Sequence, residues 1–587
     1  MAKWFQAYKK ADFEALAKQF SLDPVLIRIM RNRDLIEEQD MEKYLYGTMQ
    51  DTYSGKLLKG MEEAVSILEE KILSQKYIRI IGDYDVDGIC ATTILKKGLL
   101  ACGANVDTVI PHRQKDGYGI NEHLIQEAAE DGVDTIVTCD NGIAAFDQIA
   151  YGKAKGLTFL ITDHHEVPFE LVNGEKQYRI PQADVVIDPK LPDCPYPYKQ
   201  ICGAFVAYKL VACLWEKMGI QKDHSELIEL AGLATVCDVM ELLDENRILV
   251  KTALKSMQEA KNVGLRALIK LNEIDKISGY HLGFIIGPCL NAAGRLDTAG
   301  RALELLTCED YREAIFMASE LKALNESRKT MTEHAVEQAI QWVEENCTET
   351  ETVLVVYLPE CHESLAGIIA GRVKERYHKP TFVLTNGEDC VKGSGRSIEA
   401  YSMYEEMTKC KELFVKYGGH RQAAGLSLAE ENVDRFRQRM NELSTLTPDD
   451  MEEKITIDVP MPLSYVTKNL VNELEILQPF GNGNPKPIFA QKDLTFFYGE
   501  LLGKNKSTTK LLAKDEQGNR FEIMLFHQLD QFREDLIHWY GENALEQLFS
   551  RNETDTLIKL HILYYPSINE FRGRSNLQFI MQQWKKA

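Results

Sequence analysis

The sequence has no CxxC pair, although its 13 cysteines are scattered singly from Cys90 to Cys410, so a zinc ribbon or a redox dithiol is excluded. The thiols are expected to be reduced and mostly buried as small hydrophobes; none has a visible electropositive partner that would make it a catalytic thiolate. No stretch approaches the run of about 18 apolar residues that a membrane span needs. The N-terminal MAKWFQAYKKADFEALAKQF is an amphipathic mixture without an apolar core or a cleavage site, so the expectation is a cytoplasmic protein with no membrane partner. GxxxxGK(S/T) is missing, which leaves an ATP-driven motor unsupported. Internal repeats, low-complexity tracts and long Pro/Ser linkers are also missing. Positive charge is in deficit, with 68 Lys and Arg against 89 Asp and Glu for a net charge of −21. The global field therefore repels polyanions, and any nucleic-acid site must be local.

What is present is 587 residues, 44% apolar and 27% charged, enough for several domains. Residues 1–75 read as a charged helical region ending in MEEAVSILEEKILSQ, where Ala64, Ile67, Leu68 and Ile72 recur at helical spacing. From residue 76 to about 300, short apolar runs (YIRII, VDTVI, DTIVT, LTFLIT, DVVID) alternate with helical segments, the signature of βαβ units and a parallel sheet. Between Gly300 and Pro359 there is neither glycine nor proline, which predicts a helical connector over residues 301–347. Residues 348–448 repeat the β-α-β pattern on a smaller scale and contain the glycine-rich turns GSGRS and YGGH. Residues 449–587 alternate apolar and polar positions around turn tracts, which predicts an antiparallel β barrel or sandwich. From Lys486 onward 14 positive and 13 negative residues nearly balance, so this tail is the least acidic part.

The first βα junction, IIGDYDVDG, puts Asp83, Asp85 and Asp87 in one tight loop. Three acids within five residues repel one another unless cations sit among them. Later junctions are IVTCDNG, with Asp140, and FLITDHHE, with Asp163, His164 and His165. In an open parallel sheet the strand C-termini share one edge, where ligands bind, so these residues are expected to converge. A further acid, Asp238, follows the apolar stretch LAGLATVC and needs a partner there. Oxygen ligands with one or two imidazoles suit manganese, magnesium or zinc, and the number of acids points to two ions sharing a carboxylate. An Asp at a βα junction also serves as a helix N-cap, and that alternative stands for Asp140. Capping alone does not call for three acids at the first junction and a histidine pair at a later one.

The motifs DYDVDG, CDNG, DHH and CDVMEL resemble the four motifs of the DHH phosphoesterase family. HRQKDGYGIN, GPCLNAAGRLDTA, HESLAGIIAGRV, GSGRSI, YGGHRQAAGLSL and LQPFGNGNPKPIF narrow the resemblance, over about residues 60–587, to the RecJ family of bacterial single-strand DNA exonucleases. The resemblance implies an α/β fold: a parallel-sheet DHH domain (76–300), a helical connector, a smaller α/β DHHA1 domain (348–448) and a C-terminal antiparallel OB-fold that binds nucleic acid (449–587). It implies two Mn²⁺ or Mg²⁺ ions held by Asp85, Asp87, Asp140, His164 and Asp238, with Asp140 bridging. Asp83 and His165 join them in the catalytic set, with a position facing the scissile phosphate as the alternative for His165. The implied activity is 5′-to-3′ hydrolysis of single-stranded DNA in repair and recombination, with a helicase and a single-strand-binding protein as candidate partners. Two other readings remain open: a phosphodiesterase acting on nanoRNA or cyclic dinucleotides, and a non-catalytic single-strand DNA-binding replication factor. One departure stands out: Cys361 precedes His362, and Glu363, Ser364 and Leu365 follow it, where many relatives have Trp before the histidine and Gly-Val after it. That puts a direct substrate role for this turn in doubt.

Several groups are placed to hold a phosphate. Arg113 follows the second strand at the same sheet edge as the acids, and Arg295 lies in NAAGRL; a surface position or a local salt bridge is the alternative for each. Ser394 and Arg396 flank a glycine, and Gly418 and Gly419 precede His420. Two glycine turns with basic residues read as a phosphate clamp. In the C-terminal part, Phe496, Phe497, Tyr498, Tyr564, Tyr565 and Phe571 are expected to be mostly core. Lys504, Lys506 and Lys510 form the best local basic patch, with a solvated surface as the alternative.

Overall fold

The run YIRII forms strand β1 (Tyr77–Ile81), and Ile78, Ile80 and Ile81, on both of its faces, are completely buried. That is the pattern of a strand covered by helices on each side. The computed structural model describes residues 2–112, 119–348, 350–503, 508–550, 558–571 and 574–587. They divide into two compact units, residues 48–453 and residues 2–47 with 454–587.

In the first unit β1 pairs with β2 (Asn105–Val109) and β3 (Thr135–Cys139), and β4 (Thr158–Thr162) and β5 (Val185–Ile187) follow beyond β3. Every pairing in this sheet is parallel. The order β2-β1-β3-β4-β5 reverses direction between β1 and β3, and a doubly wound sheet binds its ligands at the strand C-termini beside such a switch point. Helix α1 (Val86–Ala101) leaves the first acidic loop with most of its surface buried. It packs against α2 (Gly203–Met218) and α3 (Ser225–Cys237), and Ile94, Leu210 and Leu233 share one core.

The chain then runs through helix α4 (Gly287–Leu296) into α5 (Tyr311–Asn346). The 36 residues of α5 span about 54 Å at 1.5 Å per residue. Asp310 caps its start by accepting the amides of Arg312 and Glu313. Ala314, Ala318 and Leu321 belong to the core of the first lobe, whereas Ala335, Ala339 and Val343 belong to that of the second. The expected helical connector is thus a shared spine. The second lobe is a five-stranded sheet in the order Leu354–Tyr357, Thr381–Asn386, Val391–Arg396, Ala423–Leu428, Phe414–Gly419. Its first pair is parallel and the others are antiparallel.

The second unit holds a six-stranded, largely antiparallel sheet, five strands of which close into a barrel where Phe489–Leu502 pairs with Lys559–Phe571, while the two-residue strand Val459–Pro460 pairs with Phe489–Leu502 at the edge. Bulges between Phe496 and Tyr498 and between Leu563 and Tyr564 break the alternation. Consecutive Phe496 and Phe497, and consecutive Tyr564 and Tyr565, are therefore buried together. The side chain of Phe571 lies outside the described residues. In the N-terminal stretch, read as helical, Lys3–Gln6 is instead a strand paired in parallel with Lys454–Ile457, and the Tyr44 hydroxyl donates to Asn484 Oδ1.

All thirteen cysteines are free. Six are buried, fewer than expected, and the other seven are half-buried. No helix among the described residues is long and apolar enough to cross a membrane.

Candidate metal centre

The acids converge because three parallel strands end at one edge. β1 leads into Asp83, Asp85 and Asp87, β3 into Asp140, β4 into Asp163, His164 and His165, and Asp238 is the C-cap of α3. Asp85 is also the N-cap of α1, its Oδ1 accepting the Gly88 amide at 3.0 Å, so one residue both caps the helix and belongs to the acidic cluster. The capping alternative fails for Asp140, since the following helix begins at Phe146 with Ala145 as its N-cap. Asp140 instead adopts φ 61°, a left-handed conformation that Asp tolerates, while its amide donates to the Thr162 carbonyl of β4. Val239, directly after Asp238, has φ 56°. A β-branched residue there is strained, and such strain gathers at functional sites.

His164 Nε2 lies 3.0 Å from Asp140 Oδ1, 3.5 Å from Asp87 Oδ2 and 3.7 Å from Asp238 Oδ2. Three clusters have their donor atoms within 4.8 Å of one another: Asp140, His164 and His165; Asp87, His164 and Asp238; and Asp83, Asp85 and Asp140. The N-terminus of α2 closes the group from behind. The amides of Gly203 and Ala204 donate to the two oxygens of Asp87, each at 2.7 Å, where the helix dipole also favours negative charge. Only glycine fits at 203, since a Cβ there would fall 2.7 Å from the Cβ of Asp140.

Burial, reinforced by Asp87 and Asp85, pushes the Asp140 carboxyl well above the carboxylate range and lifts that of Asp238 to about 8. Burial and Asp87 likewise raise Asp85. Carboxyls held together at that cost are matched by cations. The donor set, mostly oxygens with one or two imidazoles, fits hard or borderline divalent ions. Burial pulls His164 below its usual range, which favours the neutral imidazole that a metal site requires, and its buried Nδ1 has no hydrogen-bond partner among the described residues.

Asp163 is the residue whose role the motif left unread. Its Oδ1 accepts the amides of His164 and His165 at 2.8 and 3.2 Å and faces His165 Nδ1 at 2.7 Å, while its Oδ2 accepts the Ile143 amide at 2.9 Å. Burial would push this carboxyl up, but the His165 bond and charge prevail and hold it at about 2. For His165 burial acts downward, yet the bond to Asp163 carries it to about 9. The signal was the aspartate of the DHH triplet itself, standing beside two imidazoles that need fixing.

The phosphate-holding candidates are placed as follows. Arg113, Lys504 and Lys506 lie outside the described residues. Lys510 is paired with Glu522 at 2.6 Å. Arg295 Nη1 donates to the Ser364 carbonyl at 2.7 Å, which links α4 of the first lobe to the second. Ser394, Gly425 and Gly418 form one cross-strand row. Arg396 lies two residues further along the same face, with its Nη2 2.8 Å from where a Cβ on Gly367 would be. Gly419 has φ 143°, a conformation suited to glycine, and exposed His420 follows it. The second-lobe candidates are thus gathered at one end of three adjacent strands. His362 is engaged locally, its Nδ1 2.8 Å from Ser364 Oγ.

Three domain families match the chain: the DHH family N-terminal domain over residues 77–236, the DHHA1 domain over 350–445 and the RecJ OB domain over 457–583. The chain is 33% identical over 572 residues to the single-stranded-DNA-specific exonuclease RecJ of Bacillus subtilis, covering 96% of this chain and 71% of the relative. It is 31% identical to that of Escherichia coli, covering 95% of each. It also superposes on the crystal structure of Thermus thermophilus RecJ in complex with Mn²⁺ with a TM-score of 0.79, at 26% identity, covering 100% of this chain and 79% of the other. A parallel sheet ending in clustered acids, a second α/β lobe and a closed barrel match in order along the sequence, and the chain belongs to the RecJ family of single-stranded-DNA-specific exonucleases.

Proposed function

We propose that this chain hydrolyses single-stranded DNA from the 5′ end with two divalent ions, Mn²⁺ or Mg²⁺, held by Asp85, Asp87, Asp140, His164 and Asp238. The observation that carries the reading is the convergence of these donors on one sheet edge, with His164 Nε2 within 3.7 Å of three carboxylates. When bound, such a pair supplies the hydrolytic nucleophile and neutralises charge on the phosphoryl oxygens.

The protein's own groups do the rest. The α2 amides fix Asp87, Asp163 fixes the His165 imidazole and the backbone of both histidines, and His165, about half exposed beyond His164, faces the phosphate. Ser394, Arg396 and the Gly418–Gly419 turn take the terminal 5′-phosphate, a dianion that a guanidinium, a hydroxyl and backbone amides recognise together. The DHH, DHHA1 and OB segments divide the work as catalysis, end recognition and strand holding. A single strand must be supplied by an unwinding reaction, so a helicase and a single-strand-binding protein are the fitting partners in repair and recombination. The test is product analysis on 5′- and 3′-labelled single strands with Mn²⁺, Mg²⁺ or chelator. Early release of the 5′ label only with metal is expected, and early release of the 3′ label would overturn the polarity.

A further inference from the structure

The last strand of the first sheet, β5, leads into Asp188, Pro189 and Lys190 at the same edge as the acids. The ends of β4 and β5 are tied together, because the Asp163 amide donates to the Ile187 carbonyl at 3.0 Å. The turn that follows is held from within. Asp188 is fully buried; its Oδ1 accepts the Lys190 amide at 2.7 Å, and its carbonyl accepts the Leu191 amide at 3.2 Å. Such an aspartate turn is rigid, and the ring of Pro189 locks its own φ. The backbone that carries Lys190 is therefore fixed beside the metal centre.

The side chain of Lys190 is held as well. Only 15% of it is exposed, and Nζ lies 3.1 Å from Oε1 of Glu166, the residue directly after His165. Lysine is seldom this covered. Glu166, with 86% of its side chain exposed, has a weak claim on the ammonium, since an ion pair with so hydrated a partner gains little. Burial comes first for both His164 and Asp238, but the Lys190 charge adds a downward pull on each. A loosely engaged cation thus stands at the rim of the site, within electrostatic reach of two of its donors.

The charge of the site gives such a cation a task. Asp83, Asp85, Asp87, Asp140, Asp163 and Asp238 bring six carboxylates together. Two divalent ions and a protonated His165 offset five of those charges, and a phosphodiester then adds another negative charge. The phosphoryl oxygens gain more as the nucleophile attacks, and a fixed positive group aimed at them lowers the barrier.

We propose that Lys190 is a further catalytic residue, whose ammonium leaves Glu166 and donates a hydrogen bond to a phosphoryl oxygen of the scissile linkage from the β5 side of the metal centre. It transfers no proton and stays charged throughout. The proposal rests on the reading above that this centre hydrolyses single strands. It is separate from the terminal-phosphate pocket of Ser394 and Arg396, which lies in the second lobe.

The test uses the full-length protein with Mn²⁺, a 5′-phosphorylated single strand of roughly 20 nucleotides, and a second strand whose first linkage is an uncharged methylphosphonate. Lys190→Met should lower kcat/KM on the ordinary strand roughly tenfold to a hundredfold, the range of one charge-assisted contact. Its Ki for the methylphosphonate strand as a competitor should stay within about twofold of wild type, because that strand lacks the charge that Lys190 meets. Lys190→Arg should recover most of the rate, and Glu166→Gln, which frees the ammonium, should hold or raise it. The rise in Tm on saturating Mn²⁺ should match the wild type to within about 2 °C in Lys190→Met, which separates a phosphate contact from a role in holding metal or fold. Lys190→Gln gives the same readings should the Met protein not fold. A Ki that rises as much as kcat/KM falls, an undiminished kcat/KM, or a Mn²⁺ response lost together with the rate would each overturn the proposal. So would a loss in Glu166→Gln as large as that in Lys190→Met, which would give the role to the carboxylate. Failure of the wild type to degrade the ordinary strand would overturn instead the reading on which the proposal rests.

Discussion

A single carboxylate oxygen, Asp163 Oδ1, stands 2.7 Å from His165 Nδ1 and also accepts the backbone amides of His164 and His165. One buried aspartate thereby orients the His165 imidazole and pins the backbone that carries both histidines, the kind of support that metal and phosphate sites need from outside their ligand set.

Asp163→Asn should lower kcat/KM by roughly ten- to a hundredfold with little change in far-UV circular dichroism, since an amide cannot accept all these donors. The sign of the stability effect follows from the folded carboxyl at about 2, below the unfolded value of about 3.9. The wild type's advantage is therefore present above pH about 4 and lost as the pH falls through about 2. Thermal unfolding of both proteins across that range checks it, and a difference independent of pH would count against the assigned role.

Replacing Asp87 or Asp238 by Ala should abolish hydrolysis in metal-replete buffer while the chain stays folded, because each removes a donor from the carboxylate cluster around His164. Chelator should reproduce the loss in the wild type. A residual rate above about one percent of wild type would remove these residues from the ligand set.

Metal-free protein should lose stability as pH rises. The Asp238 carboxyl, lifted to about 8 by burial and then by Asp87 and Asp85, is far above its unfolded value. Its contribution is thus fully present below pH about 4 and lost as pH rises through about 8. Metal binding displaces that proton and reverses the trend. The rise in Tm on adding saturating Mn²⁺ should therefore be larger at pH 8.5 than at pH 6, and in the Asp238→Asn protein the gap between the two rises should narrow, with Asp140 and Asp85, also raised by burial and neighbouring carboxylates, keeping the remainder.

Arg396→Ala should slow degradation of a 5′-phosphorylated strand roughly tenfold to a hundredfold, the worth of one charge-assisted contact. It should affect a 5′-hydroxyl strand much less. kcat/KM for both strands on both proteins decides it, and equal losses would place Arg396 on the internal backbone of the strand instead.

Arg295→Ala should loosen the link that Arg295 makes to the Ser364 carbonyl at 2.7 Å. Hydrogen exchange in the turn around Ser364 should speed up. Arg295→Lys should restore only part of the protection, because an ammonium lacks the rigid planar fork that aims an N–H at the Ser364 carbonyl.

The sequence by itself determined the order of the lobes and which acids and histidines stand at the strand ends that meet at one sheet edge. β1, β3 and β4 are short apolar runs whose last residues lead straight into DYDVDG, CDNG and DHHE, and any parallel sheet brings such ends to one edge. The helix-forming, glycine-free stretch after Gly300 likewise announced α5. Contacts between residues distant in the chain were decided only in three dimensions. The strand Lys3–Gln6 is four residues long and finds its partner at Lys454–Ile457, a pairing that no local periodicity encodes. The amides of Gly203 and Ala204 clamp Asp87 from 116 and 117 residues away, and a backbone donor carries no sequence signature. The exposure of Phe284 was equally hidden, because LGFII reads as uniformly apolar until a π-helical turn sends Leu282 and Ile286 inward and leaves the ring outside. Apolar pattern and local propensity act within a few residues, whereas a clamp, a sheet edge and an open aromatic face arise only from packing between segments.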